Sequence, residues 1–231
     1  MKLPKIRCSK KLLVPIIIAL IIILAGWLII PRLGAVGHSA EEIVTQAVDN
    51  LQNTAAISYT TVSNLTIGEQ TREYGNISGE FLQNGDFRIE GSILGSELEM
   101  CQLSNATYRR DNITGNWQKT EEAPEIYDTA LFNETNPLQQ FDFADFTAAE
   151  TKSCDEKNTI CVSFRPTLQS DSISKYFDDI TYTIYCNKSC QLQKAVITGT
   201  LTNNSVSGQL QIVTTFKELP QDYQIESPIV E

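Results

Sequence analysis

Beyond residue 56 the chain is dominated by apolar and polar residues that alternate with period two. Ile57, Tyr59, Leu65 and Ile67 share one parity, as do Phe87, Ile89 and Ile93, then Leu98 and Met100. The same rhythm returns in Ile160, Val162 and Phe164, in Ile180, Tyr182 and Ile184, and in Leu210, Ile212 and Phe216, with Thr, Ser and Gln in between. Such alternation predicts strands with one buried and one wet face. Gly68, Asn84-Gly85, Gly95, Ser104-Asn105 and Gly115-Asn116 punctuate the runs, so neighbouring strands should join through tight hairpins. The pattern predicts an antiparallel meander of about eleven strands.

Two stretches follow a different period. Ile43, Val44, Ala47, Val48 and Leu51 recur at helical spacing, behind Ser39 and Glu42 placed as a capping box, which predicts a helix over about residues 40–53. Between Pro124 and Phe146 alternation fails, and short helical turns are expected there. Leu12 to Ile30 carries no charge at all, and its 19 residues would extend about 28 Å as a helix, near the ~30 Å of a bilayer core. This predicts an uncleaved signal anchor, since the h-region of a cleaved signal peptide runs to only about 15 residues. Lys2, Lys5, Arg7, Lys10 and Lys11 precede it, which places the amino terminus in the cytoplasm and the rest of the chain outside it, extracellular or periplasmic. The expected organisation is a basic tail (1–11), a single-pass membrane helix (12–30), a linker (31–38) and one extracytoplasmic domain (39–231).

Charge and cysteines narrow the partners. Six of the 18 basic side chains precede residue 33, leaving 12 against 28 acidic ones and a formal charge of −16 on the outer part. Nucleic acid needs clustered Lys and Arg, so it is excluded as a partner. Cys154 with Cys161, and Cys186 with Cys190, flank polar turns in an oxidising compartment, which predicts two hairpin disulfides with Cys101 left free. A four-thiolate zinc site would use the same four residues, but their spacing and compartment disfavour it.

Catalytic chemistry finds little footing. His38 is the sole histidine and sits in the linker, and no G-x-S-x-G elbow, P-loop or G-x-G-x-x-G occurs. Ser172-Ile173-Ser174-Lys175 matches S-x-x-K without its companion motifs. No enzyme and no cofactor are expected. Asn64, Asn76, Asn105, Asn112, Asn133, Asn187 and Asn203 stand in N-x-[ST] sequons, more than chance placement gives. They are candidate glycosylation sites, or else turn residues that bond their own backbone.

The order of parts carries a resemblance. SAEEIVTQAVDNLQNTAAISYTTVSN runs into the first strand, ATYRRDNITGNWQKTE makes a hairpin, NPLQQFDF lies mid-chain, and CQLQKAVITGTL and GQLQIVTTFKEL precede IESP. This resembles the LolA-like superfamily of lipoprotein carriers, and more closely the LppX and LprG type of glycolipid-binding lipoproteins. The resemblance implies a mostly β, α+β fold: a curved antiparallel half-barrel covered by the helix and short helical segments. It also implies a cavity for a lipid or lipid-linked ligand, lined here by Ile43, Ala47, Leu51, Ile57, Tyr59, Phe87, Ile89, Leu98, Met100, Ile184 and Ile212. The helix and the meander have only each other to bury their apolar faces against, which leads to the same shape. No lipobox cysteine follows the apolar segment, unlike the family's tethered members. The alternative function is a structural or sensing ectodomain without a ligand cavity, binding another envelope protein as RseB-type sensors are thought to do.

Overall fold

Ala40–Gln52 forms helix α1, with Ser39 at the N-cap position and Glu41 and Glu42 at the positive end of its dipole. Its stripe of Ile43, Val44, Ala47 and Leu51 is buried. Beyond the helix, Asn53 Nδ2 and Thr54 Oγ1 donate to the Asp49 and Asn50 carbonyls at 2.8 and 2.7 Å, satisfying acceptors that the last turn leaves open. The computed structural model describes residues 38–104, 106–120, 141, 143–154, 158–168, 175–202 and 207–229. The expected membrane span, residues 12–30, lies outside the described residues, as do the basic tail and most of the linker. Among the described residues no helix is long and apolar enough to cross a membrane.

Among the described residues eleven strands follow α1, all within the unit Ala40–Glu231. They are β1 (Ala56–Ile67), β2 (Gln70–Leu82), β3 (Phe87–Ile93), β4 (Ser96–Leu103), β5 (Ala106–Arg110), β6 (Trp117–Thr120), β7 (Phe143–Lys152), β8 (Ile160–Leu168), β9 (Phe177–Cys186), β10 (Leu192–Leu201) and β11 (Gly208–Glu218). Their order is β6-β5-β4-β3-β2-β1-β11-β10-β9-β8-β7, so two meanders meet where β11 returns to pair with β1. Leu94 and Gly95 link β3 to β4 with φ of 51° and 77°, the left-handed pair of a two-residue hairpin. Gly68, Gly85 and Gly115 also take positive φ, at turns the sequence marks.

The pleat sorts side chains between a helix-side face and an outer face. Ile57, Tyr59, Ile77, Phe81, Phe87, Ile89, Met100, Val162, Phe164, Tyr182, Ile184, Ile197, Leu210 and Ile212 join the α1 stripe in one buried cluster. Gly79 is built into it: an added Cβ would lie 2.5 Å from the hydroxyl and 2.6 Å from the ring of Tyr59, its cross-strand partner, so the ring lies across the glycine. A second, smaller core lies on the outer face, where Ile225 and Tyr223 of the carboxyl-terminal segment pack on Cys101, Tyr108, Ala106 and Leu103.

One segment differs from expectation. Phe143–Phe146, read as helical turns, opens strand β7, and residues 121–140 and 142 lie outside the described residues. The cause is local: register shifts at Phe143/Asp145 and Thr147/Glu150, with Ala148 at φ 54°, break the period-two pattern within a true strand.

Candidate functional site

The candidate cavity residues do come together. Ile43, Ala47, Leu51, Ile57, Tyr59, Phe87, Ile89, Met100, Ile184 and Ile212 belong to the single helix-side cluster, with Leu98 half-buried against it. They meet as packed core. Between the end of α1 and the sheet lies a crevice of about 20 Å³, lined by Asn50, Leu51, Thr54, Ile57, Gln191, Leu192, Phe216, Lys217 and Glu218. α1 rests mainly on β7, β10 and β8. Its described polar tie to the sheet is Asn50, whose Nδ2 donates to the carbonyls of Ser189 and Cys190 at 3.2 and 3.0 Å.

An aromatic group missed in the sequence extends this face. Phe141, Phe143, Phe146, Phe164 and Tyr182 pack with ring centroids 5.4 to 6.3 Å apart. The signal is FDFADF, where three phenylalanines stand among two aspartates at the end of the stretch read as short helical turns. Burial alone holds the Tyr59 and Tyr182 hydroxyls far above the usual phenol range. Both stay neutral, which suits an apolar face.

The outer face carries the larger recesses. A groove of about 760 Å³ runs between strands β1, β2, β3 and β11 and the carboxyl-terminal segment, with Glu80, Glu90, Glu226, Arg88 and Lys217 among its walls. A second recess of about 620 Å³ shares Ser78 and Glu90 with it and adds Glu73, Glu97, Glu99, Asp111 and Arg110. Glu99 bridges Arg88 at 3.0 Å and Arg110 at 2.8 Å. Tyr223 Oη donates to Glu80 Oε1 at 2.6 Å, fastening the segment; this bond pushes the phenol up to about 12. Backbone and hydroxyl donors of Thr114, with the Ile113 N–H, hold Asp111 below the usual carboxylate range.

Cysteines and sequons divide. Cys154 and Cys161 form a disulfide with Cα atoms 5.9 Å apart. The second expected disulfide is absent: Cys186 and Cys190 are buried free thiols, as is Cys101. Register explains this. Cys186 is paired across the hairpin with Leu192, whereas Cys190 lies in the turn at φ 55°, its N–H bonded to the Asn187 carbonyl at 3.0 Å. Asn187 Oδ1 accepts from the N–H groups of Ser189 and Gln191, and Asn112 Nδ2 donates to the Glu97 carbonyl, so both hold turns. Asn64 and Asn76 sit within β1 and β2, while Asn105, Asn133 and Asn203 lie outside the described residues. Among the described residues no three His, Cys, Asp or Glu side chains gather as metal ligands.

No protein-family description and no curated protein matches the chain. Similar solved structures include LprF from Mycobacterium bovis, 12% identical, covering 82% of this chain and 96% of that one at a TM-score of 0.49. A LolA superfamily protein from Nitrosomonas europaea is 7% identical, with 80% and 96% covered and a TM-score of 0.35. The MucA/MucB complex of Pseudomonas aeruginosa matches at 8% identity and a TM-score of 0.33, over 79% of this chain and 59% of that one. At such identities and TM-scores these likenesses carry no argument, and the proposals below rest on this chain's own residues.

Proposed function

We propose that this chain is a non-enzymatic binding domain, tethered to a membrane through residues 12–30, that holds the acyl chain of a lipid or lipid-linked ligand between α1 and the helix-side face of the sheet. The observation that supports it is the joint beneath α1. Neighbouring strands are laced by backbone hydrogen bonds, whereas α1 is held by the packing of Ile43, Val44, Ala47 and Leu51 and by the Asn50 amide. Apolar contact is non-directional, so an acyl chain can replace it where nothing can replace a ladder. The crevice at Leu51 and Ile57, about 20 Å³, has room for little more than a water molecule and none for an acyl chain, so uptake requires α1 to lift. Exposing the α1 stripe costs on the order of 6 kcal/mol, which about eight buried CH₂ groups at ~0.8 kcal/mol each offset.

The test is native mass spectrometry of the full chain extracted from its membrane, with displacement of a fluorescent fatty acid. A one-to-one lipid adduct and saturable displacement are expected. Bare protein with no displacement would sink the reading.

A second reading is favoured by the outer-face groove, whose carboxylates outnumber its cations. A basic, extended segment of another envelope protein fits it by charge. Crosslinking in intact membranes discriminates: a specific protein joined through the Glu90 face, with no lipid bound, supports this second reading.

A further inference from the structure

Strand register orders the helix-side face into rows that run across the sheet. One row passes from Ile57 through Phe81, Phe87 and Gln102 to Thr107, and Phe81 and Phe87 stack at 5.3 Å. The next passes from Tyr59 through Gly79, Ile89 and Met100 to Arg109. Both rows are apolar over β1, β2 and β3; the first turns polar at Gln102 of β4 and Thr107 of β5, the second at Arg109 of β5. Four inter-strand steps at about 4.8 Å separate Ile57 from Thr107, roughly 19 Å in all.

Thr107 is the anomaly in this layout. It is 5% exposed, yet its Oγ1 is buried with no hydrogen-bond partner. An unsatisfied buried hydroxyl costs about 1 to 3 kcal/mol, and valine, its isostere, would fill the same space without that cost. Arg109 is exposed on the same face of the same strand, two residues along. An amphiphile laid along the rows would meet aromatic and aliphatic side chains first, then a buried donor, then an exposed cation.

We infer that the β5 end of the helix-side face is the anchor for the ligand's polar end: Thr107 Oγ1 donates a hydrogen bond to the oxygen that links acyl chain to head, and Arg109 faces an anionic head. This rests on the acyl-chain reading above and adds an orientation and a ligand class to it. The ligand is a single-chain anionic amphiphile whose chain points from β5 toward Ile57 and the end of α1. No bond is made or broken.

The experiment uses the full chain in amphipol with palmitoyl lysophosphatidic acid as probe and monopalmitoylglycerol as its neutral counterpart. Thr107→Val should weaken both probes about fivefold to tenfold, the worth of one hydrogen bond in a buried setting, while leaving the thermal midpoint level or higher. Thr107→Ser should bind like the parent chain. Arg109→Gln should weaken the anionic probe and spare the neutral one. In the parent chain, a photoreactive group near the chain's methyl end should label the peptides carrying Ile57, Phe81 or Phe87. Unchanged affinity in Thr107→Val, or label confined to β7 and β8, overturns the anchor while the acyl-chain reading survives. If the parent chain takes up neither probe, the acyl-chain reading itself falls.

Discussion

At the scale of single residues, the buried thiols set how the domain responds to alkali. Burial pushes the Cys101 thiol up to about 11 and the Cys186 thiol up to about 12, the latter with a smaller push from the charge of nearby Cys190. The folded protein therefore keeps protons that the unfolded chain releases near pH 9. Below that pH the groups contribute no slope; above it each thiol removes roughly 1 kcal/mol of stability per pH unit until its folded value is reached. Urea titrations between pH 8 and 11 should show this loss, with a shallower slope in Cys101→Ala. Iodoacetamide should reach Cys101 and Cys186 only after denaturation, and equal labelling of folded and unfolded chains would contradict their burial. The turn glycines at 68, 85, 95 and 115 were legible because a left-handed backbone leaves a residue signature. The state of Cys186 and Cys190 was not, because loop spacing says nothing about which residue stands across the ladder.

At the scale of elements, α1 is attached among the described residues through side chains, its apolar stripe and the Asn50 amide. Removing the Asn50 amide leaves the Ser189 and Cys190 carbonyls without this donor and frees the carboxyl-terminal end of the helix. Asn50→Ala should lower global stability by about 1 to 2 kcal/mol. In hydrogen exchange the α1 amides should lose protection before those of β1 and β11, which sit mid-sheet with partners on both sides. Simultaneous loss in helix and central strands would show that α1 does not open on its own, and the acyl-chain reading would lose its route of uptake. Elements with clean periods, such as α1 and β3, were visible in sequence because burial follows the same period as the backbone. β7 escaped because the register shift at Phe143/Asp145 lets Phe143 and Phe146, of opposite parity in the sequence, pack together, and a second shift at Thr147/Glu150 breaks the alternation again. The rows of the candidate site were hidden for a related reason: each crosses five strands, and only register brings Ile57 and Thr107 into one line.

For the molecule as a whole, charge separates the two ends of the chain. Five lysine and arginine side chains precede residue 12 and no acidic residue accompanies them, while the part beyond residue 32 has a formal charge of −16. Basic residues next to an apolar segment are held by anionic cytoplasmic headgroups at about 1 kcal/mol each, and an acidic body gains nothing from that surface. The asymmetry favours one orientation, with the domain outside, and the Cys154–Cys161 disulfide suits that compartment. Under the proposed anchor the domain would receive or present an acyl chain beside its own bilayer and would not diffuse across a gap. The full chain should then stay with membranes through alkaline carbonate washing. Protease added to intact cells should degrade the domain and leave a small membrane-embedded amino-terminal fragment. Release by carbonate would refute the anchor and leave the domain free to shuttle, whereas a domain shielded from external protease until the cells are opened would refute the orientation.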